Sequence, residues 1–136
     1  MVKKGRWIRL KLENMKEDID SIAVTESKQF LFVTHNEQPK LDIKLDGTYL
    51  QGYIHTDYKT IVEKLGEPSD SYDSYKSDYE WQIQFGDGLV AAIYDWKIGY
   101  NYNGKEGEDV TEGYITWNVG GSDPEVVNRL QAMLEK

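Results

Sequence analysis

At 136 residues the chain has the length of one domain, and because it contains no cysteine it has neither a disulfide framework nor a cysteine-based zinc site. Its 24 acidic residues outnumber the 16 basic ones and give a net charge of −8, which argues against DNA or RNA polymers as ligands because their phosphates are bound by Lys and Arg. No apolar run is long enough for a secretion signal or a membrane span, so we expect a cytoplasmic protein with no membrane partner.

The N-terminal third of the sequence predicts a β-rich extension of a main sheet. Residues 1–16 carry six basic side chains and one acidic side chain, which is typical of a solvated strand edge. The segment Glu13–Ile22 is compatible with a helix or a loop. Three segments have the composition of strands: Trp7–Leu12, Gln29–Thr34 and Leu41–Leu45. We therefore predict a single domain, 1–136, in which the extension (1–46) packs on an α+β core (47–136).

The core begins with a strand and a short helix. The strand is predicted over Thr48–Ile54. Four apolar residues then follow at helical spacing: Tyr58, Ile61, Val62 and Leu65. Thr56 or Asp57 can cap the N-terminus of this helix. Gly66 occupies the position preferred for a C-terminal glycine, and Pro68 prevents the helix from continuing.

A polar loop at Ser69–Ser77 leads to a predicted hairpin and a third strand. The strand Tyr79–Phe85 alternates strictly, with Tyr79, Trp81, Ile83 and Phe85 on one face and Glu80, Gln82 and Gln84 on the other. The turn Gly86-Asp87-Gly88 predicts that this strand pairs with Leu89–Trp96. After a glycine-rich acidic loop, the strand Tyr114–Val119 alternates in the same way. Its inward residues are Ile115, Trp117 and Val119.

A second helix closes the core. Gly120-Gly121 turns into it, and Ser122 and Glu125 have the spacing of a capping box. Pro124 suits an early helical position. Its apolar stripe consists of Val126, Val127, Leu130, Met133 and Leu134. The order strand–helix–strand–strand–strand–helix predicts an α+β fold: an antiparallel sheet with both helices on one face and the other face left to solvent or a partner.

The sequence gives no positive indication of catalysis. His35 and His55 form no metalloprotease-type pair, and there is no serine nucleophile elbow, phosphate-binding loop or dinucleotide fingerprint. Asp57 follows His55 by two residues, but a helix cap explains it better than a hydrolase pair. Four acids in the long loop lack the ligand spacing of an EF-hand: Glu106, Glu108, Asp109 and Glu112. We therefore predict no catalytic residue, no metal site and no cofactor, in a protein that is not an enzyme.

The segment Trp96–Lys105 has the composition of a ligand-binding loop, because it combines lysines, amides, glycines and tyrosines. Tyrosine rings stack on nucleobases, and lysines neutralise phosphates. Four polar residues are predicted to project from the outward face of the sheet: Gln82, Gln84, Thr116 and Asn118. The helix N-terminus at Gly120-Gly121-Ser122 is a further candidate anion site, although the charge of Asp123 would repel an anion there.

A series of motifs in the core resembles a family of short phage proteins, the anti-CBASS sponges. The motifs are Gly52-Tyr53, Gly66-Glu67-Pro68, Tyr75-Lys76-Ser77-Asp78-Tyr79-Glu80-Trp81, Phe85 to Lys97, Asn101-Tyr102-Asn103-Gly104 and Trp117-Asn118-Val119-Gly120-Gly121. The resemblance covers about residues 48–121. Asn118 departs from it, because the family has a histidine at that position. The N-terminal 46 residues have no counterpart in the short members of the family.

The resemblance implies a protein that sequesters the cyclic oligonucleotide signals of the host without cleaving them. It also implies a cyclic di- or trinucleotide as ligand and a homo-oligomer. Together with the residue types, it gives five candidate ligand-binding residues: Lys97, Tyr100, Tyr102, Asn118 and Lys76. Two other functions stay open. One is an acidic protein-interaction inhibitor of a host defence enzyme, comparable to anti-CRISPR proteins and suited by the net charge of −8; the other is a phosphodiesterase that uses His55.

Overall fold

The computed structural model describes residues 6–35, 48–70, 79–95, 99 and 103–135. Seven strands in this part of the chain form one sheet: β1 (Ile8–Arg9), β2 (Leu31–Thr34), β3 (Tyr49–Asp57), β4 (Ser69–Asp70), β5 (Tyr79–Phe85), β6 (Val90–Tyr94) and β7 (Tyr114–Gly121). Three α-helices lie within the described residues: α1 (Met15–Ile22), α2 (Tyr58–Leu65) and α3 (Glu125–Leu134). The predicted strand at Leu41–Leu45 and most of the predicted loop at Ser69–Ser77 lie outside the described residues.

The strands are ordered β1-β2-β5-β6-β7-β3, and β4 pairs with the beginning of β5. All pairs among the core strands are antiparallel, as predicted, whereas β1 and β2 pair in parallel. The α+β fold class is confirmed, and the parallel pair at one end makes the complete sheet mixed. Two of the three predicted N-terminal strands, seen as β1 and β2, thus extend the same sheet as the core strands.

The main hydrophobic core lies between one face of the sheet and the helices α2 and α3. Trp81 and Trp117 are fully buried at its centre, with their ring centroids 5.5 Å apart in an edge-to-face arrangement. Each indole N–H donates to a backbone carbonyl, that of Gly66 for Trp81 at 2.8 Å and that of Thr56 for Trp117 at 3.0 Å. The predicted inward residues are confirmed: Ile83, Phe85 and Val119 are buried, and Tyr79 and Ile115 are half-buried and pack against this core.

Helix α2 begins and ends as predicted. The Asp57 side chain accepts a hydrogen bond from the backbone N–H of Thr60 at 3.0 Å, which satisfies one of the free amides of the first turn. Gly66 terminates the helix with a φ of 83°, a left-handed conformation that glycine adopts without a side-chain clash. Local sequence signals therefore specify both ends of this helix.

The predicted capping box of the last helix is wrong. The Ser122 hydroxyl instead accepts a hydrogen bond from the backbone N–H of Val90 at 3.1 Å, because β6 lies directly beside this turn. The Asp123 carboxylate accepts from the Glu125 backbone N–H at 2.8 Å, just before the helix, whose N-cap residue is Pro124. The Ser122 hydroxyl therefore bonds to the neighbouring strand β6, which is remote in sequence, and not to the backbone of its own helix.

Residues Glu13–Ile22, which the sequence left open between helix and loop, contain α1. Its apolar side chains, with Ile8, pack against a second, smaller core of Leu10, Leu31 and Val33. Val33 lies opposite Gln84 in the sheet, so α1 covers the face that α2 and α3 leave open, at the β1–β2 end. Most of that open face extends from β5 to β3.

The prediction that the second face of the sheet is left to solvent or a partner is wrong for β5. Glu80 and Gln82 point away from the main core, yet they are only 6% and 1% exposed. Polar side chains in a buried position require hydrogen-bond partners. This part of the sheet therefore holds a polar network, which is the starting point of the candidate site.

Candidate ligand-binding face of the sheet

Four side chains form a continuous row across the second face of the sheet. Glu80 of β5 lies opposite Tyr94 of β6, Tyr94 lies opposite Asn118 of β7, and Asn118 lies opposite Tyr53 of β3. Residues directly opposite each other in antiparallel strands share a face, with their Cβ atoms about 4.5–5.5 Å apart. We call these four residues (Glu80, Tyr94, Asn118 and Tyr53) the polar row.

The β5 end of the polar row is buried and held by hydrogen bonds. The Gln82 amide donates to a carboxylate oxygen of Glu80 at 2.7 Å. His35, which is 2% exposed, lies with its Nε2 3.0 Å from the Gln84 amide oxygen, and its backbone N–H donates to the Gln82 carbonyl at 2.9 Å. The carboxylate is thus fixed in position by neighbours on its own face. A fixed carboxylate is an acceptor that loses little entropy when it binds an N–H group.

Tyr94, in the middle of the row, stays a neutral phenol. Burial raises the pKa of its hydroxyl, and a hydrogen bond with Asn118 opposes that rise only in part. The nearby Glu80 carboxylate raises the pKa of Tyr94 further, and Tyr53 adds to this. At neutral pH the phenol can therefore both donate and accept, and it lies between the buried carboxylate and the amide of Asn118.

The β3 end of the row is exposed and aromatic. Tyr53 is 54% exposed, so a large part of its ring faces solvent. From β5 to β3 the row passes from a buried carboxylate, through a phenol and an amide, to an open aromatic ring. This sequence of groups suits a nucleobase: the carboxylate, phenol and amide can hydrogen-bond to the polar edge of a base, and the tyrosine can stack on its face.

The structure describes one of the five sequence-predicted ligand residues. Asn118 lies in the polar row, half-buried and hydrogen-bonded to Tyr94. The other four, Lys76, Lys97, Tyr100 and Tyr102, lie outside the described residues, as does most of the predicted binding segment Trp96–Lys105. Their contribution to a site stays a prediction.

The described ends of the two lysine-containing segments, 71–78 and 96–98, meet at one end of the polar row. Tyr79 follows the first segment and Asp95 precedes the second, and the Tyr79 backbone N–H donates to the Asp95 carboxylate at 2.8 Å. Asp95 is fully buried. The next strand pair along β5 and β6 is Glu80 with Tyr94, the first pair of the row. Asp70, which precedes the first segment, pairs with Tyr79. The chain therefore enters and leaves residues 71–78, and enters residues 96–98, next to the buried carboxylate.

Sequence reasoning identified part of the polar face and missed part of it. Gln82, Gln84 and Asn118 share one face of the sheet, which confirms the predicted alternation. Tyr94 was missed, although the hairpin turn at Gly86-Asp87-Gly88 sets the register that brings it opposite Glu80. His35 carries no local signal, because its position depends on the pairing of β2 with β5 across about 50 residues of sequence.

The alternative sites considered from the sequence are occupied by structural contacts. Asp57 caps α2, while the His55 ring lies against Tyr114, with centroids 5.8 Å apart, and its Nδ1 is 3.3 Å from the Thr116 hydroxyl. In the acidic loop, the Asp109 carboxylate accepts from the backbone N–H of Thr111 at 3.0 Å. At the start of α3, the protein's own Asp123 carboxylate takes a free backbone amide.

No protein-family model matches this chain, and no curated protein matches it. None of the helices in the described ranges is long and apolar enough to cross a membrane. Within the same ranges, no three His, Asp or Glu side chains are grouped closely enough to hold a metal ion.

Proposed function

We propose that this protein is a non-enzymatic sponge that binds a cyclic di- or trinucleotide and withholds it from its receptor. In this proposal it is phage-encoded, acts in the cytoplasm of the host and suppresses CBASS-type defence. The observation that carries the proposal is the polar row, which offers a fixed carboxylate, a neutral phenol, an amide and an exposed aromatic ring on one sheet face.

The row suits the base part of such a ligand, and the flanking segments suit its phosphates. The Glu80 carboxylate is an acceptor for amino and imino groups, such as those on the edge of a guanine. The same negative charge disfavours a phosphate beside it. Phosphate binding is therefore assigned to two lysines. Lys97 follows Asp95 in the sequence and Lys76 precedes Tyr79, and both of these described residues lie at that end of the row. A cyclic dinucleotide carries two phosphates, so a few lysines are enough in an otherwise acidic protein.

We also propose that binding occurs without turnover. Cleavage of a phosphodiester requires an activated nucleophile or a metal-bound water next to the phosphorus. In the polar row the carboxylate of Glu80 is engaged by Gln82, and the phenol of Tyr94 stays protonated at neutral pH. His55, the other candidate, lies against Tyr114 and Thr116. We expect His55→Ala to leave binding intact and no time-dependent loss of ligand with either protein.

Calorimetric titration with a panel of cyclic di- and trinucleotides tests the proposal. Asn118→Ala removes the amide from the row and is expected to weaken binding about 5- to 150-fold, corresponding to about 1–3 kcal/mol for a base-edge contact. Thr116→Ala is the matched control, because Thr116 lies two residues away on the same strand and face but outside the row. Tyr100→Ala or Tyr102→Ala should cause a loss of similar size if that ring stacks on a base.

Recovery of the ligand after heat denaturation distinguishes a sponge from a phosphodiesterase. A sponge releases the intact cyclic nucleotide, which mass spectrometry identifies. An absence of heat with every nucleotide, at protein concentrations above micromolar, would reject the sponge. That result would favour an acidic inhibitor of a host defence enzyme. The net charge of −8 suits that function. Four exposed acidic residues of the long loop suit it as well: Glu106, Glu108, Asp109 and Glu112.

A further inference from the structure

The exposed apolar side chains of the described residues are concentrated at the β3 end of the sheet. Five large hydrophobic or aromatic side chains are exposed, and four of them lie on β3 or its neighbour β7: Tyr49 (72%), Leu50 (49%), Tyr53 (54%) and Tyr114 (58%). The fifth, Val24, lies just after α1 and is 83% exposed. Leu50, Tyr53 and Tyr114 share the second face of the sheet along the β3–β7 pair. Several exposed apolar groups on one face indicate an interaction surface, whereas an isolated one does not.

Among the described strands, β3 also has a backbone partner on one side only. β3 has nine residues and is the last strand in the sheet order, so β7 pairs with one of its sides. In the part of the chain that the structure describes, no strand pairs with its other side. Residues 49–56 include no Asp, Glu, Lys, Arg or Pro, the residues that usually protect an edge strand. A bulge at Gln51 leaves Gly52–Asp57 as a regular stretch.

We propose that β3 pairs antiparallel with β3 of a second copy of this chain. Self-pairing of this kind requires only a twofold axis, because the same surface then serves both copies. Two copies that each carry a net charge of −8 repel one another, so a shared interface is favoured where acidic residues are absent. Residues 49–56 meet that condition, and they also carry the exposed aromatic side chains.

The paired strands would join the candidate sites of the two copies. Pairing of Gly52–Asp57 with itself places the twofold axis at the middle of the stretch, between Ile54 and His55 and within two residues of Tyr53, the exposed end of the polar row. Each polar row would then continue into β3 of the partner, and the partner's Tyr53 would line the same surface. If the proposed function holds, a cyclic dinucleotide with two identical halves matches the symmetry of that surface. The pairing itself does not depend on the ligand.

Sedimentation velocity of the ligand-free protein, over a range of concentrations, tests the pairing. We expect a reversible dimer whose dissociation constant rises at least tenfold in Tyr53→Lys, since the substitution places two like charges near the twofold axis. Val24→Lys adds the same charge at an exposed apolar position away from β3, and it is expected to leave the dimer unchanged. Circular dichroism verifies that both variants are folded.

Cysteine cross-linking reports the position of the axis. The chain has no cysteine, so Tyr53→Cys, His55→Cys and Val24→Cys each carry a single thiol. A disulfide requires Cα atoms about 4.4–6.8 Å apart, so we expect the strongest cross-linking at position 55, beside the axis, weak or no cross-linking at position 53 and none at position 24. A chain that stays monomeric up to about 100 μM would overturn the proposal, and so would a dimer that Tyr53→Lys leaves intact. Because no ligand is added, neither result depends on the proposed function.

Discussion

The Gly120-Gly121 pair in β7 provides a sharp test of how the sheet packs against α3. A Cβ atom added at Gly121 would lie 2.6 Å from a methyl group of Val126 and 2.9 Å from the backbone oxygen of Val90. Contacts below 3.0 Å require a neighbour to move. Val126 is fully buried in the core, and the Val90 oxygen accepts the Ser122 backbone N–H at 3.1 Å. Neither neighbour can move without loss of packing or of a hydrogen bond.

We expect Gly121→Ala to lower the free energy of unfolding by about 1–3 kcal/mol, the usual range for an overpacked core. For a domain of this size, this corresponds to a fall in Tm of about 4 °C per kcal/mol. Gly120→Ala is the matched control: the nearest atom to its added Cβ is a ring carbon of Tyr94 at 3.5 Å, an ordinary contact. Neither glycine has a positive φ, so backbone strain does not separate the two variants.

Urea denaturation followed by circular dichroism gives both free energies. Gly120→Ala should be neutral or slightly stabilising, because alanine reduces the conformational entropy of the unfolded chain by about 0.4–1 kcal/mol. The reasoning is refuted if the two variants lose the same stability, or if Gly121→Ala is as stable as the wild type. Either result would mean that β7 does not approach α3 and β6 as closely as described.

Two further predictions concern the core and a partly buried ion pair. Trp81→Ala should cost about 3–5 kcal/mol in urea denaturation, because the side chain is fully buried, whereas Tyr114→Ala, at a position 58% exposed, should cost far less. The Arg129 guanidinium donates to both Asp87 oxygens at 2.9 and 2.6 Å, and these bonds lower the pKa of Asp87. A carboxyl pKa that is lower in the folded than in the unfolded chain stabilises the fold at pH values above the unfolded-state pKa of about 3.9. The difference in stability between wild type and Asp87→Asn should therefore disappear as the pH falls through the folded-state pKa of Asp87. A difference that persists in acid would contradict the ion pair.

The parts of the fold that the sequence predicted are those specified by neighbouring residues. The alternation of Tyr79–Phe85 follows from the two-residue period of a strand, and Asp57 and Gly66 mark the ends of α2 through their own conformations. These signals act over a few residues. They therefore survive in the folded protein, and they were sufficient to predict the α+β class.

The features that were missed depend on contacts between distant residues. Ser122 fits a capping box in sequence, but β6 takes its hydroxyl. Nothing local indicates that β1 runs parallel to β2, or that His35 lies beside Gln84 in a buried network. The polar row is of the same kind, because its four residues come from four strands and meet only when the register of the sheet is set. Alternation gives the face on which a residue lies but not its neighbour across the strand.

The asparagine in the polar row allows a final prediction, which depends on the proposed function. The phage proteins that this sequence resembles have a histidine at the position of Asn118. The Asn118 side chain is hydrogen-bonded to Tyr94. An imidazole at this position, with an ordinary pKa near 6.5, would gain a positive charge as the pH falls. We therefore expect Asn118→His to bind a cyclic dinucleotide about tenfold more tightly at pH 5.5 than at pH 7.5, whereas the wild type should change much less.

Calorimetric titrations at these two pH values measure the effect, with Thr116→His as the control because it adds the same group outside the row. A new cation in the row attracts a ligand that carries two phosphate charges even where position 118 contacts a base, and tenfold corresponds to about 1.4 kcal/mol, a modest value for a partly screened interaction between charges. An affinity for Asn118→His that falls with acidification would contradict the model in which position 118 faces the ligand. Equal gains in Asn118→His and Thr116→His would contradict it as well, because general attraction by a protonated surface histidine would then be sufficient.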